Sequence, residues 1–145
     1  MIAVNYPPPA FKVKQENEQH FVFDAIRKTW LLLTEEEWVR QNFIQFLVQE
    51  LKYPLELIAV EKEIQLGDLK KRFDILVYDR THKPWMLIEC KAGQINLDEK
   101  VLYQVLRYNI SMPANFLVIT NGQFTYAWEK INDELKEIGQ MPVWK

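Results

Sequence analysis

The sequence predicts an α/β domain: a mixed central sheet flanked by helices, with an extension at the N-terminus. Three observations predict it. Residues 34–51 carry helical periodicity behind a capping signal. Lys70–Ala92 reads as two apolar strands joined by a polar turn. Beyond Gly93, a second helical pattern leads into the short continuous apolar run Phe116–Thr120. A chain of 145 residues is long enough for one substantial core. The expected organisation is a single domain over 1–145, with an N-terminal arm (1–33), a core (34–128) and a C-terminal tail (129–145).

Composition excludes several classes. A hydrophobic content of 48% with 13% aromatic residues rules out a disordered chain. The one cysteine, Cys90, cannot form an internal disulfide and fits a reducing compartment. No apolar run approaches the roughly 20 residues needed to span a bilayer, and no leader pattern opens the chain. A cytoplasmic protein with no membrane partner is expected. The net charge is −2, so overall charge gives no argument for nucleic-acid binding, and such contacts would need local basic clusters.

In order along the chain, Tyr6-Pro7-Pro8-Pro9 is a short extended segment. Phe11–Lys14 suggests a strand, Gln15–Gln19 a turn, and His20–Leu33 a hairpin or an extended arm over the core. Thr34 and Glu37 form a capping box that starts a helix running to about Leu51, ahead of Pro54. Val39, Phe43, Ile44, Phe46, Leu47, Val48 and Leu51 make its apolar face. Asn42, Gln45 and Gln49 are expected on the solvent side, with Gln41 at the margin. Glu36 and Arg40 suit an i,i+4 ion pair. Glu37 has two readings: a helix cap alone, or a carboxylate aimed at a catalytic site.

Leu57–Leu66 alternates as a strand, with Ile58, Val60, Ile64 and Leu66 on one side. Gly67-Asp68 turns the chain into Lys70–Tyr78, and the turn at Asp79–Pro84 leads into Trp85–Lys91, giving a three-strand meander. The second helix covers about Leu97–Ile110, burying Val101, Leu102, Val105, Leu106 and Ile110. Lys100, Gln104, Arg107 and Tyr108 form its other flank. Asn121-Gly122 marks a hairpin returning through Gln123–Trp128. Residues 132–138 read as a short terminal helix.

The chemistry concentrates in the second and third strands of the meander. If Tyr78 pairs with Trp85, constant antiparallel register puts Asp74 directly opposite Glu89, with Cβ atoms roughly 5 Å apart. Two such carboxylates repel unless a cation lies between them. Lys91 falls on the same side of its strand as Glu89. Asp, Glu and Lys converging on one spot suit a metal-dependent phosphodiester hydrolase. A hard cation neutralises the phosphate and acidifies bound water, and Mg²⁺ (or Mn²⁺) needs only one or two carboxylates. Asp74, Glu89 and the Cys90 backbone carbonyl are the expected ligands. Lys91 would orient or deprotonate water, or stabilise developing charge. Gln104 and Arg107 would hold the substrate backbone or orient Lys91. Lys71 and Arg72, beside the carboxylates, are candidate phosphate contacts, as are Lys100, Arg107 and Tyr108 on the helix.

These elements resemble the PD-(D/E)XK nuclease superfamily, and within it the N-terminal nuclease domain of type I restriction enzyme R subunits. The residues that carry the likeness are Thr34–Gln41, Lys71–Val77, Leu87–Ala92, Gln104-x-x-x-Tyr108-Asn109 and Ile119–Gly122. Phe73 departs from the superfamily, which often has proline there. The resemblance implies a restriction-endonuclease-like fold and a Mg²⁺-dependent endo- or exodeoxyribonuclease. The catalytic set would be Asp74, Glu89, Lys91, Gln104 and Glu37. DNA would be the partner, with a homodimer or a restriction complex as the assembly. The chain contains no Gly-x-x-x-x-Gly-Lys-Ser/Thr, so no P-loop motor is expected in it. The alternative is a catalytically silent nuclease-fold module that binds DNA or a restriction partner.

Overall fold

A computed structural model describes residues 1–145. Two sheets and two helices form a mixed α/β architecture. A three-stranded antiparallel sheet comprises β1 (Val13–Glu16), β2 (Gln19–Asp24) and β3 (Thr29–Leu32). A six-stranded sheet follows in sequence order: β4 (Ile58–Leu66), β5 (Leu69–Tyr78), β6 (Pro84–Cys90), β7 (Phe116–Thr120), β8 (Thr125–Ile131) and β9 (Glu134–Ile138). β4, β5 and β6 are the expected antiparallel meander. β6 and β7 run parallel, the reversal supplied by the crossover helix α2 (Glu99–Asn109), and β7–β8–β9 close the sheet as a second meander.

α1 spans Glu35–Gln49 and starts as its cap signal predicts: the Glu37 amide donates to Thr34 Oγ1 at 3.0 Å. Its apolar residues Phe43, Leu47 and Val39 join Ile75, Val77, Ile88 and Val118 of the large sheet in the main core. The expectation that Gln45 lies toward solvent fails, and Gln41, expected at the margin, is buried too, because the N-terminal segment covers that flank. Gln45 accepts from the Ala10 amide at 2.8 Å and donates to the Pro8 carbonyl at 2.6 Å. Gln41 donates to Asp24 and to Glu37. Burial of these amides is tolerated because Gln45 is paired at both ends and the Gln41 amide nitrogen donates twice. The arm thus straps α1 before forming its own sheet, and the Ile2 amide donates to the Thr125 carbonyl at 2.8 Å.

The opposite face of the sheet buries Phe73, Leu76, Leu87 and Leu117 in one cluster and Leu97, Ile119 and Trp128 in another, both under α2. α2 is capped by Asp98, whose Oδ1 accepts from the Val101 amide at 2.9 Å. Only Asn109 of this helix is fully buried. Ile110, expected on its buried face, lies past the end of the helix and is exposed.

The C-terminal segment differs most from expectation. Residues 134–138 form β9, not a helix. Asn132 and Asp133 both hold left-handed φ (51° and 63°), the geometry of a type I′ hairpin turn, which returns the chain along β8. Residues 129–145 are therefore not a tail. Met141 is buried, Tyr53 Oη donates to the Pro142 carbonyl at 2.6 Å, and Trp144 Nε1 donates to the Tyr78 carbonyl at 2.9 Å. Asn121-Gly122 does mark the β7–β8 reversal, but inside a four-residue loop. There Asn121 Oδ1 accepts from the amides of Gln123 and Phe124.

Gly122 has φ +91°, and a Cβ there would meet Val39 Cγ2 at 3.3 Å. Gly122→Ala is expected to destabilise the fold by about 1–2 kcal/mol from the backbone alone, read as a lower urea midpoint at unchanged slope.

Candidate active site

β5 and β6 pair in the predicted register at Ile75↔Ile88, Leu76↔Leu87 and Val77↔Met86. Tyr78 pairs with Pro84 rather than Trp85, because the register slips at the strand end. The slip lies beyond the chemistry. Asp74 and Glu89 sit one step past Ile75↔Ile88, where the paired ladder stops. Asp74 Oδ2 accepts from the Cys90 amide at 2.8 Å, so a carboxylate replaces the backbone acceptor there.

On the other side of β5, Glu61 falls between the pairs Val60↔Ile75 and Lys62↔Phe73 and has φ +52°. Its left-handed backbone shifts the alternation of β4. Ile58 and Val60 pack in the α1 core while Ile64 packs under α2, so these residues do not share one side as alternation predicts. β5 shifts at the same level: Ile75 and Val77 face α1, whereas Phe73 joins Leu76 under α2. Asp74 thus sits at a break in the sheet's pleat.

Arg40 holds that break. Its guanidinium is buried and lies 2.7 Å from Glu61, 3.4 Å from Asp74 and 3.5 Å from both Glu36 and Glu37. Burial alone would lower its pKa, but the Glu37, Asp74 and Glu61 carboxylates more than offset this and raise it. The anticipated Glu36–Arg40 pair is present, and Arg40 itself is a site residue that the sequence did not reveal.

Glu89 is pushed up to about 8 by burial, by the charge of Asp74 and by hydrogen bonding to it, with Lys91 opposing. Glu36 is also raised, by burial and then by Asp74, and it senses Lys91 as well. Glu36 is thus the α1 carboxylate that feels the acid pair, and it meets Arg40 at 3.5 Å. Glu37, expected there, points the other way. It accepts two bonds from Arg27 Nη2, at 3.1 and 3.2 Å, and one from Gln41 at 3.0 Å. A single step on a helix rotates a side chain by about 100°, and that step separates the two roles.

A cleft of about 490 Å³ opens on Glu89 and Lys91. Lys70, Lys71, Arg72, Gln104, Val105, Tyr108 and Asn109 complete its walls, so it is locally basic within an acidic chain. Lys71 is buried. Its ammonium lies over the Tyr108 ring and donates to the Tyr108 carbonyl and to Asn109 Oδ1, tying the C-terminal end of α2 to β5. Burial lowers its pKa and Glu89 works against that. The helix flank divides: Gln104 and Tyr108 line the cleft, whereas Lys100 borders a separate concavity with Asp98 and Tyr103. Arg107 is exposed and not among the cleft walls, since it lies about 130° around the helix from their centre. The Cys90 thiol is in the α1 core, and only that residue's backbone meets Asp74. No group of three or more His, Cys, Asp or Glu side chains converges as a ready metal cage.

Fold and site together define a mixed α/β domain with a lysine-bearing cleft that opens on Glu89, beside Asp74 at the end of a strand pair. Residues 35–142 match the type I restriction enzyme R protein N terminus, and the chain belongs to that family. The three-stranded sheet lies ahead of the matched residues. Among curated proteins, none matches the sequence. No helix is long and apolar enough to cross a membrane.

The raised Glu89 has a consequence for stability. Between an unfolded value near 4.5 and a folded value of about 8, the native metal-free state holds a proton that the unfolded chain releases. Stability should therefore fall as pH rises through this window. Melting temperatures measured in EDTA from pH 5 to 8 should decline, and Glu89→Gln should remove this contribution to the slope.

Proposed function

We propose that the chain is a Mg²⁺-dependent nuclease with a restriction-endonuclease-like fold of the PD-(D/E)XK type, hydrolysing DNA phosphodiesters in restriction or repair. The observation that carries this reading is the meeting of Asp74 and Glu89. Two carboxylates held together at such cost to Glu89 form a site whose repulsion a cation would relieve. The donor set fits a hard ion. Two carboxylates and the Cys90 carbonyl leave the remaining positions to water and substrate oxygens, as Mg²⁺ prefers. When bound there, the ion would supply charge neutralisation and an acidified water.

The chain's own residues do the rest. Lys91, beside Glu89, orients the attacking water and balances charge developing on the phosphate. Gln104 and Tyr108, facing it across the cleft, position the scissile group. Lys70 and Arg72 hold the backbone, while Lys71 fixes α2 at the correct distance. Arg40, 3.4 Å from Asp74, holds that carboxylate in place, and Glu36 replaces Glu37 as the contribution of α1. DNA is the partner, engaged by a homodimer or within a restriction complex.

A catalytically silent module is the second reading. One observation favours it: Arg40, 3.4 Å from Asp74, already gives that carboxylate a cation. Metal titration separates the two readings. Mn²⁺ binding followed by calorimetry should be lost in Asp74→Ala, and the silent module would show none in the wild type. Lys91→Ala should lower cleavage of plasmid DNA by about 10²-fold or more, with metal affinity and melting temperature retained. Full activity in that variant would remove Lys91 from the mechanism.

The two α1 carboxylates are separable in the same way. Glu37→Ala should cost about 1.5–3 kcal/mol of stability, since it strips the charged hydrogen bonds from Arg27 and the ion pair with Arg40. Glu36→Ala should leave stability nearly unchanged and weaken Mn²⁺ binding.

A further inference from the structure

The central strand β2 of the small N-terminal sheet buries its Val22–Asp24 side, while its other side, with Phe21 and Phe23, is half-buried. Val22 and Asp24 point inward, and both are fully buried. The ladder pairs Lys14↔Phe21↔Leu32 and Phe23↔Trp30 place the alternate residues together on the outer face. Lys12 precedes Lys14 by two residues and is joined to the sheet through the bond from the Phe23 amide to its carbonyl. Trp30 is 37% exposed and Leu32 49%. The Trp30 and Phe23 rings meet edge to face, 5.3 Å between centroids. Lys14 Nζ lies 4.4 Å from the Trp30 ring centroid and 6.0 Å from that of Phe21.

We propose that this face binds single-stranded nucleic acid, its rings stacking bases and Lys12 and Lys14 holding the phosphates. It rests on the nucleic-acid part of the reading above, though not on hydrolysis. Rings interleaved with lysines on one sheet face match the two needs of an unpaired strand, an apolar surface for each base and a cation for each phosphate. A protein partner fits less well, because the cores of protein interfaces are depleted of lysine. A duplex keeps its bases stacked on one another and offers the rings nothing. Glu16 is the acidic group on this face, 2.9 Å from Lys14. Such an exposed pair is weak, and an arriving phosphate can replace it.

The test uses the full chain in EDTA, so that binding is measured without cleavage. Fluorescence anisotropy with a labelled oligothymidylate should give a saturable signal. Trp30→Ala should weaken it about 5- to 100-fold, the loss of one stacked base, and Trp30→Phe should restore most of it. Lys14→Ala should reduce the salt slope by about 0.7. Duplex affinity should be the same in wild type and Trp30→Ala. Should Trp30→Ala fail to fold, the surface double variant Lys12→Glu/Lys14→Glu carries the test, and it should abolish binding. Unchanged oligonucleotide affinity in folded Trp30→Ala, or an equal loss for duplex, would overturn the proposal. So would a shift from dimer to monomer in Trp30→Ala with no effect on the oligonucleotide, which would mark the face as a contact between copies. Trp30-dependent binding in a protein that never cleaves with Mg²⁺ would leave this site standing and end the nuclease reading instead.

Discussion

A buried guanidinium has few ways to be stable, and Arg40 relies on ion pairs with four carboxylates while its Nε has no partner. Taking one charge out of water costs several kcal/mol unless paired groups replace the solvent. Here the replacements come from three elements: Glu36 and Glu37 on α1, Glu61 on β4 and Asp74 on β5. The requirement works in both directions. Glu61 adopts a left-handed backbone that costs about 1–2 kcal/mol for a residue with a Cβ, and the 2.7 Å contact with Arg40 compensates. The resulting break in the pleat is what frees Asp74 from ordinary strand pairing. The helix, the two strands and the candidate site are thus fixed by one cation.

That cation also connects the two sheets. Asp24 of β2, buried, takes Arg27 Nε at 2.6 Å, and Arg27 passes on to Glu37, which meets Arg40. Burial would raise the pKa of Asp24, but its bonds from Arg27 and Ile26 outweigh that and lower it. The family-matched region starts at residue 35, so half of this network lies outside it. The small sheet is therefore joined to the site by alternating charges, with Ile26 of its β2–β3 turn packed against the main core beside them.

Much of this was legible from the sequence where local rules act alone. Thr34 capped α1, the run Phe116–Thr120 formed β7 with the expected bounds, and the register of β5 on β6 from Ile75↔Ile88 to Val77↔Met86 followed from alternation. What escaped needed tertiary knowledge. A glutamate with positive φ inside a strand leaves no mark in a pattern of apolar residues, so the change of face after Val60 was invisible. Asn132-Asp133 is a turn pair with a known preference, but Glu134–Ile138 carries helix formers, and hairpin closure overrode their propensity. Gln45 looked solvent-facing and Gln41 marginal because their partners, Asp24, Pro8 and Ala10, are far away in the chain. Glu36 and Glu37 are chemically identical neighbours, and only the position of Arg27 tells them apart.

α2 is held to the sheet mainly by half-buried side chains, with one fully buried residue and a lysine tether at its C-terminal end. Elements with so few buried contacts occupy the low end of local opening free energies and exchange their amide protons ahead of the core. This helix forms one wall of the cleft, so a local opening of α2 would change the width of the cleft first, ahead of any change in the sheet. The acid pair, carried by β5 and β6 in the sheet, would keep its geometry through such an opening.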